Sequence, residues 1–365
     1  MVSSTFQTTP WFSGVWRFTG SAYEDNTLAA QRSSGAASPS LSDTNDFLYL
    51  GSESRFDLAA FTLDINGTIG TPKWEYYNGS AWKEFVPVHE YDFTTSGAEE
   101  FGRLADWAAV AFSNSAPHSA TPPDTTSRFW VRVSSPTSVT TAPTISQIHM
   151  RPYAAYCRAE DVANLLQVAS FDDTNDPTRQ TVEDSIAAAQ SYIDYYTQKS
   201  WRVNYQKDEF HEFNTAGFTL ARKDAFKMIS VDVWNGGEFE TRTEGRDSDY
   251  FLVPDRNIIY WARYFILPAR FASAASRLAW WGYGEFVLPV KVSYLYGRNI
   301  YTDEREGRLA FDIARKLAAI DIFTSHDYSV LVASGSDKVS METKIREWKE
   351  DTDNNLESLK SWQVF

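Results

Sequence analysis

The sequence predicts an α+β multidomain chain: an antiparallel β-sandwich over residues 1–150, then a helical bundle over 151–365 that carries a β-rich insertion at about 205–296. Three observations predict it. Short apolar runs in the first 150 residues are separated by Asn-Gly, Pro and Ser/Thr clusters, the punctuation of an all-β unit. Behind Thr140–Thr144 the apolar spacing changes from two to three and four. The 365 residues also exceed the length at which one core stops growing, roughly 250–300.

In chain order, Phe47–Gly51 reads as a strand. Phe61–Ile65 alternates with period two and closes on Asn66-Gly67. Trp74–Trp82 places aromatic residues on either side of Asn78-Gly79, a dipeptide that accepts the positive φ of a tight hairpin. Phe129–Val133 and Ile145–Met150 are further strands, and Ser33–Ser42 and Ser113–Ser127 are loops. Only Glu99–Ala109 carries a helical spacing in this half. In the second half Asp161–Val168 is a short helix. Asp176 caps a long one with Pro177 at its first position, ending near Ser200. Its apolar stripe is Val182, Ile186, Ala189, Ile193 and Tyr196. Strands return at Ile229–Trp234, Tyr250–Val253, Ile258–Tyr264 and Val290–Tyr296. An Ala- and aromatic-rich segment, Phe265–Phe286, lies between the last two. Leu309, Ile313, Leu317 and Ile320 mark the next helix, and a highly charged helix at about 340–365 follows.

Composition excludes several function classes. The 48 acidic against 34 basic side chains give a formal net charge of −14, which on average repels phosphate and argues against a nucleic-acid binder. A single cysteine, Cys157, permits neither an intramolecular disulfide nor a cysteine zinc site. No apolar run approaches the eighteen or so residues of a membrane span, and the first residues do not read as a secretory signal, so a reducing aqueous compartment is expected.

The chemistry-bearing motifs are sparse. His89, His118, His149, His211 and His326 have no metal-ligand spacing and read as surface or hydrogen-bonded loop residues. Glu99-Glu100 and Asp303-Glu304 read as solvated surface rather than an acid–base pair. Asp172–Asp176 fails as a calcium loop, because Pro177 occupies the position that needs glycine. Asn66-Gly-Thr and Asn78-Gly-Ser are hairpin turns, not glycosylation sites. No nucleophile elbow, phosphate loop or dinucleotide fingerprint is present, so neither an enzyme nor a cofactor is expected. Trp74, Tyr76 and Trp82 have two readings: core residues of a half-buried hairpin, which is preferred, or exposed rings that stack on sugars. The last helix is polar on most faces. It is therefore expected to add little to either core and to dock on a partner through a sparse apolar stripe.

Tyr156-Cys-Arg-Ala-Glu-Asp-Val-Ala-Asn-Leu-Leu, the Ile186-x6-Ile193-Asp-x-Tyr-Thr helix, Val-Ser-Tyr-Leu-Tyr-Gly297 and the striped helix behind it occur in an order that resembles the head–tail connector (adaptor) proteins of tailed phages. The amino-terminal half looks like β-sandwich modules of phage neck and tail proteins. The resemblance implies a structural protein of the virion neck, assembled in the host cytoplasm as a ring of typically twelve copies. The ring sits beneath the portal and above a stopper or tail protein, and double-stranded DNA passes through it without specific binding. It implies a portal-docking segment with Ile345, Trp348, Leu356, Leu359, Trp362 and Phe365, and a bundle core with Val182, Ile186, Ile193, Tyr196, Leu309, Ile313 and Leu317. Trp280, Trp281 and Tyr283 are candidates for contacts between copies, since exposed aromatics are a liability on a monomer. No membrane partner is implied. A glycan- or receptor-binding tail component using Trp74, Tyr76 and Trp82 is the alternative.

Overall fold

The computed structural model describes residues 11–31, 38–104, 106–112, 122–172, 176–212, 217–234, 237–262, 289–301, 303, 305–325 and 338–360. Its first block contains β1 (Gly14–Thr19), β2 (Tyr23–Asp25), α1 (Thr27–Gln31), β3 (Asp46–Ser52), β4 (Phe56–Ile65), β5 (Thr68–Ile69) and β6 (Lys73–Tyr77). It continues with β7 (Trp82–Phe85), β8 (Gly97–Glu100), β9 (Ala109–Val110), β10 (Arg128–Ser134), β11 (Val139–Thr141) and β12 (Thr144–Pro152). Two helices follow, α2 (Ala159–Leu166) and α3 (Arg179–Thr197). A second run of strands holds β13 (Asn204–His211), β14 (Phe218–Thr219), β15 (Ala225–Trp234), β16 (Phe239–Thr241), β17 (Tyr250–Val253), β18 (Ile258–Trp261) and β19 (Val290–Tyr296). The described residues end with α4 (Glu306–Ser325) and α5 (Lys338–Leu359). The chain is a mixed α+β structure in which every paired strand is antiparallel to its neighbour.

A seven-stranded sheet runs β2-β1-β3-β10-β6-β7, with β9 against β10, and a three-stranded sheet runs β12-β4-β8. One apolar core joins them: Leu48, Leu50, Trp74, Val131 and Val133 from the larger sheet meet Ala59, Phe61, Ile145, Ile148 and Met150 from the smaller. Strand side chains alternate between faces, so Leu58 and Ala60 of β4 point the other way. There they pack, with Ala98 of β8, on Leu295 of β19. The β12-β4-β8 sheet is thus buried on both faces, which is why Phe56–Phe61 is apolar nearly without interruption. The layer on its far side is the sheet β13-β19-β15-β16, which has its own core with β14-β18-β17 around Val231, Ile259, Val292 and Tyr294.

The hairpin at Asn78 forms as its sequence directs. Tyr77 pairs with Trp82, Gly79 takes φ +93°, and the Asn78 Oδ1 accepts the Ser80 and Ala81 amides at 3.1 and 2.8 Å. Two local expectations fail. Glu99–Ala109 is not helical: Gly97–Glu100 joins β4 as a strand, because Ala98 and Glu99 are required inside the two-faced sheet. The cap of α3 is Thr178, not Asp176, since the Thr178 Oγ1 accepts the Thr181 amide at 3.2 Å. That helix ends at Thr197, with Gln198 in the left-handed region.

Among the described residues, α2, α3, α4 and α5 pack around one core. Val182, Ile186 and Ile193 of α3, Ala310, Ile313, Ala314 and Ala318 of α4, and Tyr156 and Trp201 from the flanking links are buried in it. Leu309, Leu317 and Tyr196 lie against the same core and are partly buried. No helix among the described residues is long and apolar enough to cross a membrane.

Close packing in the larger sheet is sharpest where Gly51 of β3 lies under Trp130 of β10. A Cβ at position 51 would fall 2.5 Å from the indole Cζ3. Gly51→Ala should therefore cost about 1–3 kcal/mol, read as a lower urea midpoint at unchanged slope.

Candidate interaction surfaces and the buried joint

The last helix is where sequence and structure differ most. Expected to add little to a core, α5 instead seats Leu356 and Leu359, 1% and 0% exposed, among the residues of α3 and α4. Trp348, Thr352, Leu356 and Leu359 step by four, four and three, so one narrow stripe suffices to bury the carboxy-terminal half. Lys316 of α4 bridges Asp312 to Asp351, and the Tyr196 hydroxyl donates to Glu357 beneath the Lys360 ammonium, 5.0 Å from the ring. Toward its amino-terminal end the helix is less engaged. Ile345 and Trp348 are half-buried, and Lys344, Arg346, Glu347, Lys349 and Glu350 are exposed. Trp362 and Phe365 lie outside the described residues, as do Trp280, Trp281 and Tyr283.

The aromatic hairpin offers little to a sugar. Trp74 is 2% exposed in the core between the sheets, and Tyr76 is buried with its hydroxyl donating to Asp106. Trp82 is half-buried, and its face is covered: the Arg132 guanidinium sits 4.3 Å from its ring and 4.5 Å from that of Phe47. Arg132 is held there by Glu75, directly opposite on β6, with Nε 2.7 Å from the carboxylate. Burial tends to raise the Glu75 carboxyl, but its hydrogen bonds to Arg132 and Lys73 leave it below the usual carboxylate range.

The joint between β12-β4-β8 and the second β region holds buried polar residues that sequence reasoning missed. Arg151 of β12 is 8% exposed. It reaches Asp57 at 2.6 Å, Glu100 at 3.2 Å and the Asn204 Oδ1 at 3.0 Å, linking three strands across the two layers. Glu99, expected on the surface, is fully buried and accepts the amides of His89 and Tyr91 at 2.7 and 2.6 Å. Burial raises its carboxyl nonetheless, despite those bonds. The sequence signal for Arg132 is a charge between the two valines of Val131-Arg-Val133, and Arg151 in the mixed strand β12 has no comparable signal.

Cavities open at both ends of this joint. A polar one of about 330 Å³ lies by His89, Tyr205, Lys207, Asp232 and Lys291. Much of its polarity is internally satisfied: Thr241 donates to Asp232 at 2.7 Å, Lys291 sits 3.5 Å from the same carboxylate, and Lys207 donates to the His89 carbonyl at 3.3 Å. A more apolar cavity of about 310 Å³ is bounded by His149, Met150, Trp201, Phe226 and Ile300.

His89 is a loop residue beside Glu100 at 3.7 Å, as expected, whereas His211 ends β13 with Glu209 at 2.6 Å and His149 is buried in β12. His118 and His326 lie outside the described residues. Among the described residues no cluster of three or more His, Cys, Asp and Glu is placed to hold a metal. Cys157 is wholly buried, and burial pushes its thiol up, which makes it a poor nucleophile.

No protein-family model matches this chain, and no curated protein matches it. Two solved particles contain chains similar to it. The structure titled "Neck of empty GTA particle computed with C6 symmetry" has one at 15% identity and TM-score 0.36, covering 58% of this chain and 93% of that one. The structure titled "Virion of native gene transfer agent (GTA) particle" has one at 13% identity and TM-score 0.36, with the same coverage.

Two substitutions separate the roles of these parts. Leu359→Ala should cost about 2–5 kcal/mol in chemical denaturation, because it empties a fully buried site between helices. Arg151→Met should cost about 3 kcal/mol by leaving Asp57 and Glu100 without their cation, and Asp57→Asn added to it should recover part of that loss.

Proposed function

We propose that this chain is a structural protein of a viral neck, a head-to-tail adaptor that works by shape and self-association and catalyses no reaction. It forms a ring, of twelve copies by the family resemblance, below a portal. A stopper or tail protein binds its other side, and it lines the path of double-stranded DNA. Its first 150 residues act as a β-sandwich interaction module, and residues 151–365 act as the helical adaptor domain. The excess of acidic side chains suits a conduit, since a surface poor in counter-charges lets phosphates slide past.

One observation supports this reading above the others. The last helix is anchored at its carboxy-terminal half by Leu356 and Leu359, with Trp348 packed against the same core, yet leaves Ile345 half-buried among exposed charges. Such a helix is fixed in direction by its own fold and still has an apolar edge for a partner, the geometry of helix-in-groove docking. The saccharide reading has no comparable support, because Trp74 and Tyr76 are interior and the Trp82 face is taken by Arg132.

The test is assembly. Electron microscopy of particles carrying a labelled copy should place the chain as a ring in the neck, and mass photometry of the purified protein with its portal should show a joint complex. Ile345→Asp should lower portal attachment at least tenfold while leaving the circular dichroism spectrum unchanged. Particles whose neck lacks the chain would end the proposal.

A further inference from the structure

His149 is set apart from His89 and His211 by what surrounds it. Those two have carboxylates as neighbours, whereas His149 is packed among rings and faces a cation. Its imidazole stacks on Trp11 at 4.3 Å with 28° between planes, and the edge of Phe226 on β15 lies 6.2 Å away. Trp11 also makes a backbone bridge to the same residue. Among the described residues neither Nδ1 nor Nε2 has a hydrogen-bond partner, although a neutral imidazole carries one donor and one acceptor.

The charged groups around it all oppose a second positive charge or are already engaged. From β15 comes Lys227, whose ammonium donates to Gln147 of β12; burial lowers it to about 8, with Glu244 opposing that shift. Arg202, ahead of β13, and Arg298, behind β19, border the adjoining cavity. Arg202 is paired with Asp194, and Arg298 with Asp224, Asp303 and Glu306. The Trp11 segment, Trp11-Phe-Ser-Gly14, brings no charge.

We propose that His149 is an acid-sensitive latch: while neutral it lets Trp11, β12 and the Phe226 edge of β15 close on one another, and protonation releases that contact. Among the described residues an imidazolium has no acceptor in this niche, and it faces Lys227, so it must leave to reach water. Leaving breaks the Trp11 bridge and opens the apolar cavity alongside. The sign follows from the shift. Burial first, and Lys227 second, bring the His149 imidazole from its ordinary 6.5 down to about 3 in the closed form. A depressed base stabilises the closed form fully above its free value, and that stability is lost as pH falls from 6.5 toward 3. Well inside that window each pH unit shifts the closed-to-open ratio about tenfold, and because the free imidazole is already half protonated at 6.5, a fall from 6.5 to 5 shifts it roughly fifteenfold.

Hydrogen exchange read by mass spectrometry on the full chain tests this. Peptides spanning 145–152 and 224–231 should lose protection in the wild-type protein between pH 6.5 and 5, after correction for the intrinsic exchange rate. His149→Phe, which keeps the ring and removes the proton, should hold protection through that window, and Lys227→Met should weaken the acid loss. Imidazole NMR on the wild-type protein gives a readout that needs no variant. A His149 that titrates below about 5 while the fold persists supports the latch, and one that titrates at 6 or above overturns it. Equal acid loss in wild-type and His149→Phe proteins overturns it as well.

Discussion

The constraint on which the rest depends is the burial of the β12-β4-β8 sheet on both faces. One face completes the core with the seven-stranded sheet, and the other receives Leu295, Val203 and Tyr205 from the second β region. Once both faces are covered, a polar group on those strands has no water to turn to and must find its partner inside. Arg151 finds Asp57, Glu100 and Asn204; Glu99 finds two backbone amides of the loop beside it. His149 finds neither, and that is what distinguishes it. The same burial welds the amino-terminal block to the rest of the chain, since removing either neighbour would strand charges as well as apolar surface.

The helical part follows a different economy. Its core is built mostly of small and aliphatic residues, Ala310, Ala314, Ala318 and Ala319 beside Ile186, Ile193 and Ile313, so α3 and α4 approach closely. The last helix adds only a few side chains to that core and supplements them with polar contacts near the surface, the ion pair of Lys316 with Asp351 and the hydrogen bond from Tyr196 to Glu357. Exposed contacts of that kind contribute little individually. Stability along α5 should therefore be graded, firm near Leu356 and Leu359 and weaker toward Ile345. A helix with that gradient is held in place at one end and adaptable at the other.

Much of the element content was legible in the residues. The hairpin at Asn78-Gly79, the strands at Phe47, Phe129 and Ile145, and the stripes of α3 and α4 each depend on short-range patterns that survive folding. What was misread depended on neighbours distant in sequence. The Glu99–Ala109 segment has helical spacing, yet Gly97–Glu100 became a strand because β4 needed an edge partner. The last helix looked too polar for a core, yet four well-spaced positions were enough. The preferred reading of Trp82 as a half-buried core residue agrees with the structure, but its cover, Arg132, fifty residues away and held by Glu75, was not legible.

The amino-acid sequence by itself determined where most strands, turns and helices form, that the chain carries a strong negative charge, and that no familiar constellation of reactive groups is encoded in a contiguous motif. Only the tertiary structure decided which of two β-rich faces meets which, and therefore which charges are buried, which aromatic rings are covered and which histidine stands beside a lysine. The reason is range. Backbone preferences and hydrophobic period act over a few residues, whereas the desolvation of Arg151, Glu99 and His149 is set by layers that meet only when the whole chain has folded.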